Sequence, residues 1–166
     1  MNKVFFLVAL IFISIGLGGC PYESSVPISN ASIPVDPRFL GKWNSKDEVY
    51  NNYQITQSSP TQYHVVQKNI SQTSQFTAFL SEVKGALFMN LYSDSTKAYY
   101  LFRIKPDTSG NKFTLTPIAA ELPEHFNSSE ALRSFVEKNM NLQSFYDEAD
   151  RAEYEKIPTV SHTVLN

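Results

Sequence analysis

The sequence predicts a mainly β domain with a C-terminal α element: an antiparallel meander, open or closed into a barrel, of about seven to eight strands capped by one or two helices. Two observations carry that expectation. Between Arg38 and Ile118 short runs rich in Tyr, Phe, Val, Thr and Ile alternate with clusters of turn residues. Beyond them, helical spacing of apolar residues appears for the first time, at Leu132, Phe135 and Val136.

Seven runs read as strands. After Leu40-Gly41-Lys42-Trp43 come Glu48 to Thr56, Gln62 to Asn69, Gln75 to Val83, Ala86 to Tyr92, Ala98 to Lys105 and Lys112 to Ile118. Ser58-Ser59-Pro60, Lys84-Gly85, Ser93-Asp94-Ser95-Thr96 and Asp107-Thr108-Ser109-Gly110-Asn111 connect them with turn chemistry, so consecutive strands pair as hairpins. In the first long run Val49, Tyr53 and Ile55 share one face and Tyr50, Asn52, Gln54 and Thr56 the other, the pattern of a half-buried strand. The Ala98 run is apolar on both faces: Ala98, Tyr100, Phe102 and Ile104 oppose Tyr99 and Leu101, so its outer side needs a cover. Asn127, three residues before Glu130, reads as an N-cap opening an amphipathic helix over 128–139 that supplies one. A weaker stretch with Leu142, Phe145, Tyr146 and Ala149 suggests a second helix, and the tail from Glu153 to Leu165 reads as an edge strand interrupted by Pro158.

The N-terminus has a different character. Asn2-Lys3 forms a short positive head, Val4 to Ile15 an apolar stretch and Gly16 to Gly19 a small-residue end, which is the order of a secretory signal. The uncharged run from Val4 to Gly19, 16 residues, falls short of the roughly 20 that span a bilayer core as a helix. It closes on Leu17-Gly18-Gly19-Cys20, at the only cysteine of the chain, and this resembles the lipobox of bacterial lipoproteins. That resemblance implies cleavage before Cys20, a diacylglycerol thioether on its sulfur, and residence in the cell envelope, at the outer membrane because Pro21 is not the aspartate that retains many lipoproteins at the inner one. The alternative is an ordinary cleaved signal followed by an incidental cysteine.

Three segments follow: a signal peptide over 1–19, the lipidated cysteine with a Pro/Ser-rich tether over 20–37, and one domain over 38–166. The tether holds four of the nine prolines and could reach roughly 50 Å if extended, at about 3.1 Å per residue. Its Val26, Ile28, Ile33 and Val35 equally allow part of it to pack along the domain.

Composition narrows the function classes. Removing 1–19 from 166 residues leaves 147, enough for one domain with its own core. Without Lys3 the mature chain has 13 basic and 16 acidic residues, a formal charge of −3 with no basic stripe, which argues against nucleic acid as a partner. The charge is uneven, 9 basic against 5 acidic residues from Arg38 to Ala120 and 4 against 9 from Glu121 onward, so the C-terminal segment either folds back on the body or presents an acidic docking surface. Catalytic and phosphate-binding motifs are missing. His64, His125 and His162 stand far apart without ligand-spaced carboxylates, so no metal or cofactor is expected. Asp47-Glu48 and Asp147-Glu148 read as solvated charge, and Ser93-Asp94-Ser95 as a turn. An enzyme would have to rest on groups such as His64, Glu82 or Asp94, and none has a catalytic neighbour in sequence. The 22 aromatic residues are more suggestive: Tyr50, Tyr53, Tyr63, Tyr92, Tyr99 and Tyr100 all fall in strands, where they line a pocket, form an interaction face or pack under the helix.

A meander that opens on Gly-Lys-Trp and ends in a helix resembles the lipocalin or calycin arrangement through Gly41 and Trp43, with Arg103 the candidate to stack on the tryptophan. Gly-Cys-Pro-Tyr-Glu-Ser over Gly19 to Ser24, with Phe39 to Trp43, is also similar to an uncharacterised family of small bacterial lipoproteins of Bacteroidota type. Together these imply a non-enzymatic, lipid-anchored envelope protein that binds a hydrophobic small molecule in its barrel, or else an envelope protein as partner. The first version requires a cavity of roughly 300 Å³ or more inside the sheet.

Overall fold

The computed structural model describes residues 22–46, 51–119 and 125–158. Cys20, the signal peptide, Asp47-Glu48, Tyr50, His162 and the end of the tail lie outside the described residues.

Eight strands close an antiparallel barrel. They are β2 (Gly41–Ser45), β3 (Asn52–Ser59), β4 (Gln62–Lys68), β5 (Thr73–Val83), β6 (Ala86–Ser93), β7 (Ala98–Pro106), β8 (Lys112–Pro117) and β9 (Ala152–Lys156). Each pairs with the next, and β9 pairs with β2 to shut the cylinder, so that each of these eight strands is paired on both sides. The short strand β1 (Glu23–Ser24) lies outside this ring on β7, with Glu23 opposite Tyr100 and Ser24 opposite Tyr99.

Strand alternation sorts the apolar residues into two cores. Tyr53 and Ile55 point inward and Asn52, Gln54 and Thr56 outward, as the sequence pattern requires. Inside the barrel pack Trp43, Ile55, Tyr63, Val65, Leu80, Met89, Ile104 and Phe113. Outside it, Val83, Phe88 and Leu101 carry a second layer that includes Leu132 and Val136 of the helix α1 (Ser129–Asn139), with Tyr22, Ile28, Phe145 and Tyr146. The cover that the two-sided Ala98 run demands is thus built jointly from the helix and the N-terminal segment.

Three details differ from the sequence expectation. The helix is capped by Ser128, whose hydroxyl accepts the Ala131 N–H at 3.2 Å, one residue later than Asn127; the shorter side chain sits at the right offset for the third amide of the first turn. The stretch from Leu142 to Ala149 forms no second α-helix: Gln143–Phe145 is a single 3-10 turn, and Tyr146 then bridges to Ile118. Consecutive Phe145 and Tyr146 are both buried, and their rings meet nearly at right angles, 5.1 Å apart. The tail strand is no edge, because β9 is paired on both sides.

One end of the barrel is closed. Asp36 caps a 3-10 turn, Pro37–Phe39, that inserts Phe39 against Tyr63 and Phe113, and the Trp43 indole N–H donates to the Phe39 carbonyl at 2.9 Å. Gly41, at φ +131°, belongs to this floor: a Cβ there would approach the Lys156 side chain at 3.3 Å. That side chain crosses to place its ammonium 5.0 Å from the Trp43 ring centre and donates to the Arg38 carbonyl at 2.9 Å. Lys156 therefore takes the place expected of Arg103, which lies on the outer wall, 5.6 Å from the Tyr146 ring.

Candidate functional site: the barrel interior

Above this floor the inward residues do not fill the barrel. A pocket of about 150 Å³ remains, walled by Ile55, Val65, Met89 and Leu91 on one side and by Phe102, Phe113, Leu115 and Tyr154 on the other. Its position follows from the register. Leu91 stands near the end of β6, Gln67 near the end of β4 and Tyr53 near the start of β3, so the pocket lies toward the end that carries the 69–72 and 94–97 turns. Phe113 and Tyr154 stack at 4.8 Å and 16°, and Tyr53 meets Tyr154 edge-on at 5.1 Å, which makes one wall a continuous aromatic surface.

Two polar groups stand among these walls. The Gln67 amide donates to the Tyr53 hydroxyl at 3.1 Å, which leaves the Gln67 carbonyl oxygen as an acceptor in the same place. No charged residue lines the pocket among the described residues. An ion would enter at the full cost of desolvation, whereas a neutral apolar group gains contact area and can spend one hydrogen bond on the Tyr53–Gln67 pair. A dry apolar cavity of about 150 Å³ is large enough for a benzene ring.

The other candidates do not converge. His64 lies on the outer face of β4, between Thr56 and Thr77 of the neighbouring strands. Glu82 is exposed at the end of β5, Asp94 pairs with Lys97 in a surface turn at 3.1 Å, and Asp147 accepts the Ala149 and Asp150 amides in a loop. His125 is exposed, and among the described residues no three His, Cys, Asp or Glu side chains come close enough to hold a metal. The tyrosines divide. Tyr53 and Tyr63 point into the barrel, Tyr92 and Tyr99 tilt together on its outside at 4.9 Å, and Tyr100 bonds Glu23 and Thr96 at the rim. Burial raises the hydroxyl pKa of Tyr63, which accepts the Asp36 amide at 2.7 Å, and of Tyr146, so both are neutral structural phenols.

A wider, open groove of about 410 Å³ runs along the outer wall of β2 to β4, past Lys42, Gln54, Val66, Lys68 and Ile157. Sequence alternation finds the inward Tyr53 and Ile55. Leu115 and Tyr154 escape it, because their meeting depends on β9 joining the ring. Comparison with protein-family models, with curated proteins and with solved structures gave no match to this chain.

Proposed function

We propose that the chain is a non-enzymatic lipoprotein of the bacterial envelope, anchored through lipid on Cys20 at the outer membrane, whose lipocalin-like barrel binds a hydrophobic small molecule. The observation that carries the binding role is the 150 Å³ pocket with an aromatic wall inside a closed barrel. Its size is about half that of a site for a drug-sized ligand, which limits the occupant to a single ring or a short aliphatic segment. Native mass spectrometry of the protein taken from its own membranes tests this: a co-purifying small mass is expected, and Leu91→Trp, which fills the pocket from β6, should abolish it. A bare chain in both forms overturns ligand binding.

The same small volume favours a second reading, in which the barrel is a rigid scaffold and the protein acts by docking an envelope protein. Crosslinking in cells that captures one specific envelope protein, with no co-purifying small mass, is the result that selects it. The anchor is tested apart from either reading. Cys20→Ala should move the protein from the membrane to the soluble fraction, and retention in the membrane overturns the anchor.

A further inference from the structure

Two layers of inward residues frame the pocket on β3 and β4. Pairing sets Ile55 opposite Val65 in one layer and Tyr53 opposite Gln67 in the next, about 7 Å nearer the end that carries the 69–72 turn. The lower layer is aliphatic, and the facing wall carries the stacked rings of Phe113 and Tyr154. In the upper layer the Gln67 Nε2 donates to the Tyr53 hydroxyl at 3.1 Å, which holds the amide and directs its Oε1 elsewhere. Among the described residues nothing donates to that oxygen. Every described side-chain nitrogen or oxygen that is shut off from solvent does have a partner. Gln67 Oε1 therefore opens on space that a water-sized molecule enters, and Gln67 shares the inner face of β4 with Tyr63 and Val65. A purely apolar occupant would strip water from this acceptor and leave it bare, whereas one that brings its own O–H or N–H satisfies it.

We propose that the ligand is a neutral aromatic ring bearing one hydrogen-bond donor, of the phenol class, with its O–H donated to Gln67 Oε1. The proposal rests on the pocket reading above and adds the chemical class of the occupant. Volume sets the ring count, since a cavity of about 150 Å³ holds a benzene-sized molecule. The wall favours an aromatic ring over an aliphatic one. Phe113 and Tyr154 stack at 4.8 Å and Tyr53 stands edge-on to Tyr154 at 5.1 Å, so an incoming ring finds both faces and edges to pack against. Charge is set by the lining, which among the described residues has no cationic side chain: a phenol keeps its proton and enters neutral, whereas a benzoate would lose its hydration without a counter-charge. The spacing of about 7 Å between the two layers accommodates one ring beside Ile55 and Val65 with its substituent level with Gln67.

The test is equilibrium dialysis of phenol, anisole and toluene against the full chain in nanodiscs, freed of bound small molecules beforehand, with empty nanodiscs as the blank. Each affinity is read against the transfer of that compound from water to cyclohexane, a solvent that offers no acceptor. Relative to toluene, phenol should bind at least about tenfold more tightly than its transfer predicts, and anisole, which has no donor, should show no such excess. Gln67→Met keeps the length of the side chain and removes the acceptor, and it should weaken phenol several times more than toluene. Toluene binding without an excess for phenol, or an excess for anisole equal to that for phenol, overturns the donor and leaves an apolar pocket standing. Equal weakening of phenol and toluene in Gln67→Met overturns it too, and if that variant does not fold, the transfer comparison on the unaltered protein decides alone. Binding of none of the three overturns the pocket reading and the donor together.

Discussion

The two faces of the barrel wall solve different problems with similar residues. Inside, aromatic rings close the floor and then leave a void of about 150 Å³. Outside, the layer between wall, helix and N-terminal segment leaves Phe88, Leu101 and Val136 without exposure and includes buried polar side chains, Asn90 and Ser81, bonded to each other. The inner core is thus built to hold a shape with room in it, and the outer core to hold pieces of chain in place. Neighbours on one strand make the contrast measurable. Phe88 faces outward and Met89 inward. Phe88→Ala should cost about 3–5 kcal/mol in chemical denaturation, because a close-packed layer cannot collapse around the loss. Met89→Ala should cost about 2 kcal/mol, at the low end for its type, since it widens a space that already exists. Equal losses would break the distinction between the two cores. A gain in the size of ligand accepted by Met89→Ala would sharpen it.

Asn90 comes next in size. Replacing it with alanine leaves the buried Ile28 N–H without its acceptor and removes one of two partners of the Ser81 hydroxyl, which keeps Ser29, a cost of about 1–3 kcal/mol. The loss should be local: hydrogen exchange at the Ile28 amide should accelerate far more than exchange within β4, and protease should cut the N-terminal segment around Ile28 while the barrel stays whole. Uniform acceleration across the barrel would mean that the N-terminal segment and the wall fold as one unit. A smaller effect is expected at the other element of the outer layer. Ser128→Ala removes the helix cap and should cost about 1 kcal/mol, read as a lower thermal midpoint.

The hairpins from β3 to β8 were legible because each depends on residues close in sequence: alternation selects the face and Lys84-Gly85 or the 107–111 cluster makes the turn. Closure was not, because β9 meets β2 and β8 across long stretches of chain, and Ala-Glu-Tyr-Glu-Lys has little strand character of its own. The pocket inherits that split. Tyr53 and Ile55 followed from alternation, whereas Leu115 and Tyr154 needed the closed ring. The packed N-terminal segment left one overlooked signal: an asparagine amid Leu87-Phe88-Met89-Asn90-Leu91 is a polar residue in an apolar strand, and such a residue is kept only with a partner, here the backbone of Ile28.

The smallest effect lies where the N-terminal segment becomes the floor of the barrel. Asp36 accepts the Arg38 backbone N–H at 2.9 Å and its guanidinium at 2.7 Å, and the hydrogen bond from that side chain, foremost, holds the carboxyl below the ordinary aspartate value. A folded pKa below the unfolded one means that the ionised form stabilises the fold. The contribution is complete above the ordinary aspartate range and disappears as the pH falls through the lowered folded value. Asp36→Asn keeps an oxygen for the turn and removes only the charge. Because the Arg38 side chain is half exposed and the pair is screened by solvent, the variant should be less stable at neutral pH by under about 1 kcal/mol, with the difference fading both in acid and in high salt. Thermal midpoints of the two proteins at neutral and acidic pH provide the check. A difference that persists unchanged in acid would show that the floor turn depends on the shape of the Asp36 side chain and not on its charge, and would place this corner with the packed outer layer.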